Sequence, residues 1–164
     1  MKDYNWGKFT RRVAVYADMK ILYNYWTSAG SLENWFLKRA NYITAEGKTR
    51  EKEEICEAGD SYEWEWHGYD FKDTGTVLEA NGKDIFRFTF AGECEVSVKF
   101  TQHGDFTLIE ITQGNIPLTE DAKVNTHLEC SLGWFFYLVN LKSLAEGGID
   151  LRNKKDEIKN VVNS

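Results

Sequence analysis

The chain has a single proline, Pro117, and only three cysteines, Cys56, Cys94 and Cys130, in 164 residues. An odd and widely spaced set with no CxxC pair excludes a disulfide framework, so the thiols read as reduced and structural. His67, His103 and His127 form no i, i+4 pair, and none stands at zinc-finger spacing from a cysteine, which excludes the usual metal-site patterns. There is no GxSxG elbow, phosphate-binding glycine loop or HExxH motif, and nothing in the sequence implies a cofactor. Catalytic groups also assemble from distant strands, so these absences leave an enzyme as an alternative.

Basic residues are the scarcer sign: 20 Lys and Arg stand against 26 Asp and Glu, a net charge of −6. With no basic run to override that balance, nucleic acid is disfavoured as a partner. No run of 18 apolar residues exists for a membrane span. Met1 to Lys8 is polar where a signal peptide would be apolar, so a cytoplasmic protein is expected.

What the chain does have is aromatic surface, with six Trp, eight Tyr and ten Phe. Each buries about 150–250 Å² when enclosed. A chain of this length builds one core, and residues 1–164 read as one domain with no repeat or linker.

The segment from Thr119 to Gly147 reads as one long helix. Thr119 is its candidate N-cap, Glu120 and Asp121 suit the positive end of the dipole, and Gly147-Gly148 supplies the stop. At ~1.5 Å per residue it would be roughly 42 Å long, the full width of such a domain. A 3.6-residue period places Val124, Leu128, Phe135, Leu138, Leu141 and Ala145 on a buried side and Asn125, Glu129, Asn140 and Ser143 on a wet one. His127 falls toward the buried side as a structural histidine. Gly133 costs about 1 kcal/mol against alanine inside a helix, which is either a tolerated defect or a sign that something approaches the backbone there.

Ahead of that helix the pattern is mainly of strands. Phe9 to Ala17 alternates, Asp18 caps a short helix over Met19 to Tyr25, and a second covers about Ser31 to Leu37. Tyr42 to Thr44 is a candidate strand, and Lys48 to Glu57 reads as a solvated excursion. In Ser61 to His67 the residues Tyr62, Trp64 and Trp66 share one face of a strand. Gly75 to Ala80 and Asp84 to Phe90 flank Asn81-Gly82, the signature of a type I′ hairpin. Strands through Val96, Val98 and Phe100 and from Phe106 to Gln113 complete an antiparallel meander.

Several segments in this order resemble a known family. They are Trp26-Thr27, Leu32-Glu33-Asn34-Trp35-Phe36, the Gly75 to Ala80 strand leading to Phe86-Arg87-Phe88-Thr89-Phe90, Gly133-Trp134, and Leu141 to Arg152. Together they resemble the domains homologous to the activator of the Hsp90 ATPase, within the START and Bet v 1-like superfamily. The resemblance spans about residues 9 to 152 and implies an α+β, helix-grip fold. In that fold a curved antiparallel sheet of about six to seven strands wraps a long C-terminal helix, with two short helices after the first strand. It also implies three functions: binding of a small hydrophobic molecule between sheet and helix, interaction with an Hsp90-type chaperone, or cyclase/dehydratase-like catalysis. The eukaryotic activator carries a further N-terminal domain for which 164 residues leave no room, which counts against ATPase stimulation even where a chaperone contact is kept.

A sheet bent around a helix meets it at the rims, which is the physical basis for a pocket. By pattern its walls would be Trp35, Tyr62, Trp64, Trp66, Phe86, Phe88, Phe90, Phe100, Trp134, Phe135 and Leu138. The other arrangement is that the same rings fill the interior at ordinary density. Glu110 is the candidate polar anchor if its strand turns it inward, and a solvent-facing glutamate in the opposite register.

Overall fold

Alternating apolar and polar side chains lay down seven strands, and the computed structural model, which describes residues 3–164, joins them in one curved antiparallel sheet. They are β1 (Phe9–Val15), β2 (Arg39–Ile43), β3 (Ser61–Glu65), β4 (Lys72–Ala80), β5 (Ile85–Phe90), β6 (Cys94–His103) and β7 (Phe106–Gly114). Their spatial order is β1-β7-β6-β5-β4-β3-β2, so the meander puts the first two strands on opposite edges. Helices α1 (Met19–Thr27) and α2 (Ala29–Trp35) carry the chain between those edges. Asp18 caps α1 by accepting from the Lys20 amide at 2.8 Å.

The hairpin expected at Asn81-Gly82 pairs β4 with β5, but its turn is not type I′. A type I′ turn needs positive φ at both central residues, and of the pair only Gly82 has it, at 72°. Asn81 instead keeps its carboxamide oxygen on the amides of Lys83, Asp84 and Ile85, at 2.9, 3.0 and 3.1 Å. That Asx geometry lengthens the loop while holding it rigid.

The 48–57 excursion is better anchored than its charge suggests. Arg50 makes a bidentate pair with the buried Asp60, the Cys56 amide donates to Thr27 O at 2.8 Å, and the Gly30 amide donates to Lys52 O at 2.8 Å.

After Pro117 the chain runs as a helix in three joined segments: α3 (Glu120–Ala122), a π-helical stretch (Lys123–Leu128) and α4 (Glu129–Ala145). The Thr119 hydroxyl caps the start by accepting from the Ala122 amide at 3.2 Å. At the end Gly147 takes φ 82° and the Gly148 amide reaches Ser143 O at 2.7 Å.

The buried face differs from the one drawn on a uniform 3.6-residue period. Trp134, Tyr137, Leu138 and Leu141 are buried, whereas Val124, Leu128 and Phe135 are exposed. Two physical causes act together. The i→i+5 bonding of the π stretch changes the phase of the first turns relative to α4. From Trp134 to Val139 the helix is apolar all round, so the rings of the sheet, and not the periodicity, choose the side. Asn140 is buried because its amide donates to Trp35 O at 2.7 Å and accepts from the Leu151 amide at 2.8 Å. His127, inside the π stretch, is structural: its Nε2 meets Tyr4 Oη at 2.8 Å and its Nδ1 meets Trp6 O at 2.8 Å.

Among the described residues no helix is long and apolar enough to cross a membrane.

Candidate functional site

The space between sheet and helix is largely occupied by rings. Tyr62 stacks on Trp64 with centroids 3.9 Å apart, Trp64 meets Phe88 edge-on at 5.2 Å, and Trp26 packs on Trp35 at 4.7 Å. Trp35, Tyr62, Trp64, Phe86, Phe88, Phe100 and Leu138 are all buried in this mass. The arrangement chosen at the centre of the grip is therefore packing.

The open space lies at one end, where the rings run out. A groove of about 790 Å³ is bounded by Trp66, Phe71, Phe90 and Trp134 and by the helix backbone at Gly133. Residues 160–162 and Ser164 close the far side, held there by the Tyr137 hydroxyl donating to Ser164 O and by Asn153 Nδ2 donating to Ser164 Oγ at 3.2 Å. The groove is open to solvent. A Cβ added at Gly133 would meet no atom within 4 Å, so nothing inside the molecule requires a glycine at that position.

Of the residues read from the sequence as walls, the structure brings Trp66, Phe90 and Trp134 to the groove and puts seven others behind it in the core. Phe135 does not face inward: it is 58% exposed on the outer side of α4, because Trp134 and Tyr137 take the sheet-facing positions. Glu110 does not anchor the interior either. On β7 the inward residues are Thr107, Ile109, Ile111 and Gln113, so Glu110 points out and pairs with Arg12 across β1.

The polar groups of the groove are others. Asp73, the second residue of β4, stands opposite Trp64, and its carboxylate accepts from the Thr74 amide at 2.9 Å. Burial raises its pKa, and backbone amides of Thr74 and Ala91 oppose the shift. Cys130 lies on the helix side with Glu129 at the rim. Burial pushes the Cys130 thiol up to about 11; Gln113 opposes the rise, while Cys94, Asp73 and Glu129 add to it. A neutral thiol of that kind is a poor nucleophile. Behind it Gln113 accepts from Trp134 Nε1 at 2.9 Å and fixes that ring, while its own Nε2 lacks a hydrogen-bond partner among the described residues.

Sequence reasoning missed Asp73, Cys130, Tyr69, Phe71 and the 160–164 wall. Gly133, with Trp66, Phe90 and Trp134, was the signal that pointed here.

A curved antiparallel sheet closed over a long C-terminal helix, with its free volume at the sheet-helix mouth, defines a helix-grip domain. Within that class the chain belongs to the family described as Activator of Hsp90 ATPase homolog 1-like protein, whose model matches residues 16–146. Three solved structures illustrate the shared fold. The protein SSP2350 from Staphylococcus saprophyticus is similar with a TM-score of 0.70 and 16% identity, over 88% of this chain and 96% of that one. The Aha1 dimer from Colwellia psychrerythraea gives a TM-score of 0.66 at 16% identity, over 86% and 97%. An HSP90 activator from Plasmodium falciparum gives 0.60 at 19% identity, over 85% and 96%. No curated protein matches the chain.

Proposed function

We propose that this chain is a binding domain that holds a small apolar or aromatic molecule in the groove beside Gly133. The supporting observation is the groove itself: about 790 Å³ with aromatic walls and few polar groups. That volume falls within the ~300–1,000 Å³ usual for small-molecule sites. The bare helix backbone at Gly133 gives a planar ring a place to lie, which accounts for a residue that weakens the helix by about 1 kcal/mol. Three free thiols suit a reducing compartment such as the cytoplasm.

The test uses a neutral dye whose emission reports an apolar environment, such as Nile red. Wild-type protein is expected to bind it saturably. Gly133→Leu, which has open space for its side chain, is expected to weaken binding about tenfold or more by filling the groove. Native protein that leaves the dye dark removes this reading.

A second reading rests on a different surface. Val124, Leu128, Phe135 and Val139 are exposed along the outer side of the C-terminal helix, an apolar stripe of the kind that marks protein contacts. We infer from it a docking face for a protein partner, with an Hsp90-type chaperone suggested by the family description. A titration with the cognate Hsp90 homologue checks it: wild type should associate and Phe135→Glu should not. Equal behaviour of the two would remove the stripe from the account.

A further inference from the structure

We propose that the molecule held in this groove carries a positive charge, so that the ligand class is an apolar or aromatic amine and not a neutral or acidic compound. The inference rests on the groove reading above and gives it a chemistry. Among the described residues the only charged side chains lining the groove are Asp73 and Glu129, and both are acidic. Among the described residues neither has a cationic partner, although most other carboxylates near the 60–73 and 150–160 segments do: Glu63 with Lys72, Asp70 with Lys159, and Asp156 with Lys38.

Asp73 is half-buried beside Trp64, and the protein-supplied hydrogen bonds to it come from backbone amides alone. A carboxylate withdrawn from water and left without a counter-ion is an acceptor for a cation supplied from outside. Trp66, Phe71, Phe90 and Trp134 line the same groove, and the π quadrupoles of such rings attract an ammonium group.

The alternatives fit less well. An anion would meet two carboxylates and no donor of opposite charge. A calcium or magnesium ion asks for about six or more oxygen ligands, whereas the groove offers two carboxylates, and among the described residues no three His, Cys, Asp or Glu side chains stand together as a metal would need. The net charge of −6 adds a long-range field of the same sign, which concentrates cations at the surface.

Three probes of one shape separate the charge question from the existence of the site: 2-naphthylmethylammonium, 2-naphthalenemethanol and 2-naphthoate, titrated calorimetrically near neutral pH. In wild-type protein the ammonium is expected to bind about tenfold or more tighter than the alcohol, with the carboxylate weakest. In Asp73→Asn the ratio of ammonium to alcohol affinity should fall to near one. Rising salt should weaken the ammonium more than the alcohol in wild type, a measurement that needs no variant. If the alcohol binds as tightly as the ammonium, or if none of the three binds, the charge assignment is overturned. In either case the Nile red titration decides independently whether the groove binds apolar molecules.

Discussion

Gly75 on β4 has a ring where its side chain would be: a Cβ there would come within 2.5 Å of Tyr62 Cε1 and 2.6 Å of Tyr62 Cζ. That ring is fixed from two sides, stacked on Trp64 and donating to Thr89 O at 2.8 Å. Gly75→Ala should therefore overpack the sheet and lower stability by roughly 1–3 kcal/mol, read from the urea midpoint. An unchanged midpoint would mean that the Tyr62 ring moves freely. At this scale the sequence was informative wherever alternation was strict. Tyr62, Trp64 and Trp66 turn inward as their spacing requires. Asp73 was not legible, because Lys72-Asp73-Thr74 has no apolar alternation and β4 was expected to begin at Gly75. The strand starts earlier because Trp64 and Glu65 extend the ladder to Asp73 and Lys72. Glu110 is the converse case: its strand was evident, but only pairing with Arg12 across β1 shows which way it faces.

Between elements, a buried arginine ties the segment after α4 to α2. Arg152 Nη2 donates to Asn34 O at 2.8 Å and to Glu33 O at 3.1 Å, and Nη1 donates to Leu37 O at 3.0 Å. Its counter-charge is Asp150, at 2.7 Å. Burial alone would raise the Asp150 pKa, but hydrogen bonds from Arg152 and Lys154 outweigh it and hold the carboxyl below its usual range. A carboxylate depressed in the folded state contributes stability above its unfolded pKa of about 3.9, and that contribution is lost as pH falls through the lower folded value. Asp150→Asn should cost about 3–5 kcal/mol near neutral pH by leaving Arg152 buried without a counter-charge. Its melting temperature should also fall less steeply than that of wild type below about pH 4. Parallel acid profiles for the two proteins would contradict this assignment. The elements themselves were legible from periodicity and caps, down to Thr119 and Gly147. The turn at Asn81 and the phase of the long helix were not. In both, a side chain or a tertiary surface overrides the local pattern, through a carboxamide oxygen in one and a floor of rings in the other.

For the whole molecule, the sheet, the two short helices and the family all follow from the order of segments along the chain. The site does not, because it forms where three distant pieces meet: the β3–β4 connection with the adjoining ends of β4 and β5, the middle of the C-terminal helix, and residues 160–164. The last of these has no apolar periodicity, and hydrogen bonds fix its place. The interior illustrates the same limit. Composition announced a surplus of aromatic volume, but only packing decides how much fills the core and how much is left to line a groove. Here Trp35, Tyr62 and Phe88 fill, and Trp66, Phe90 and Trp134 line. The most direct test follows the amide and indole resonances of labelled protein as 2-naphthalenemethanol is added. Shifts are expected at Gly133, at residues 160–162 and at the Trp66 and Trp134 indole N–H groups. Shifts confined to other surfaces, or none at a probe concentration where the dye binds, would contradict a ligand groove at the mouth of the grip.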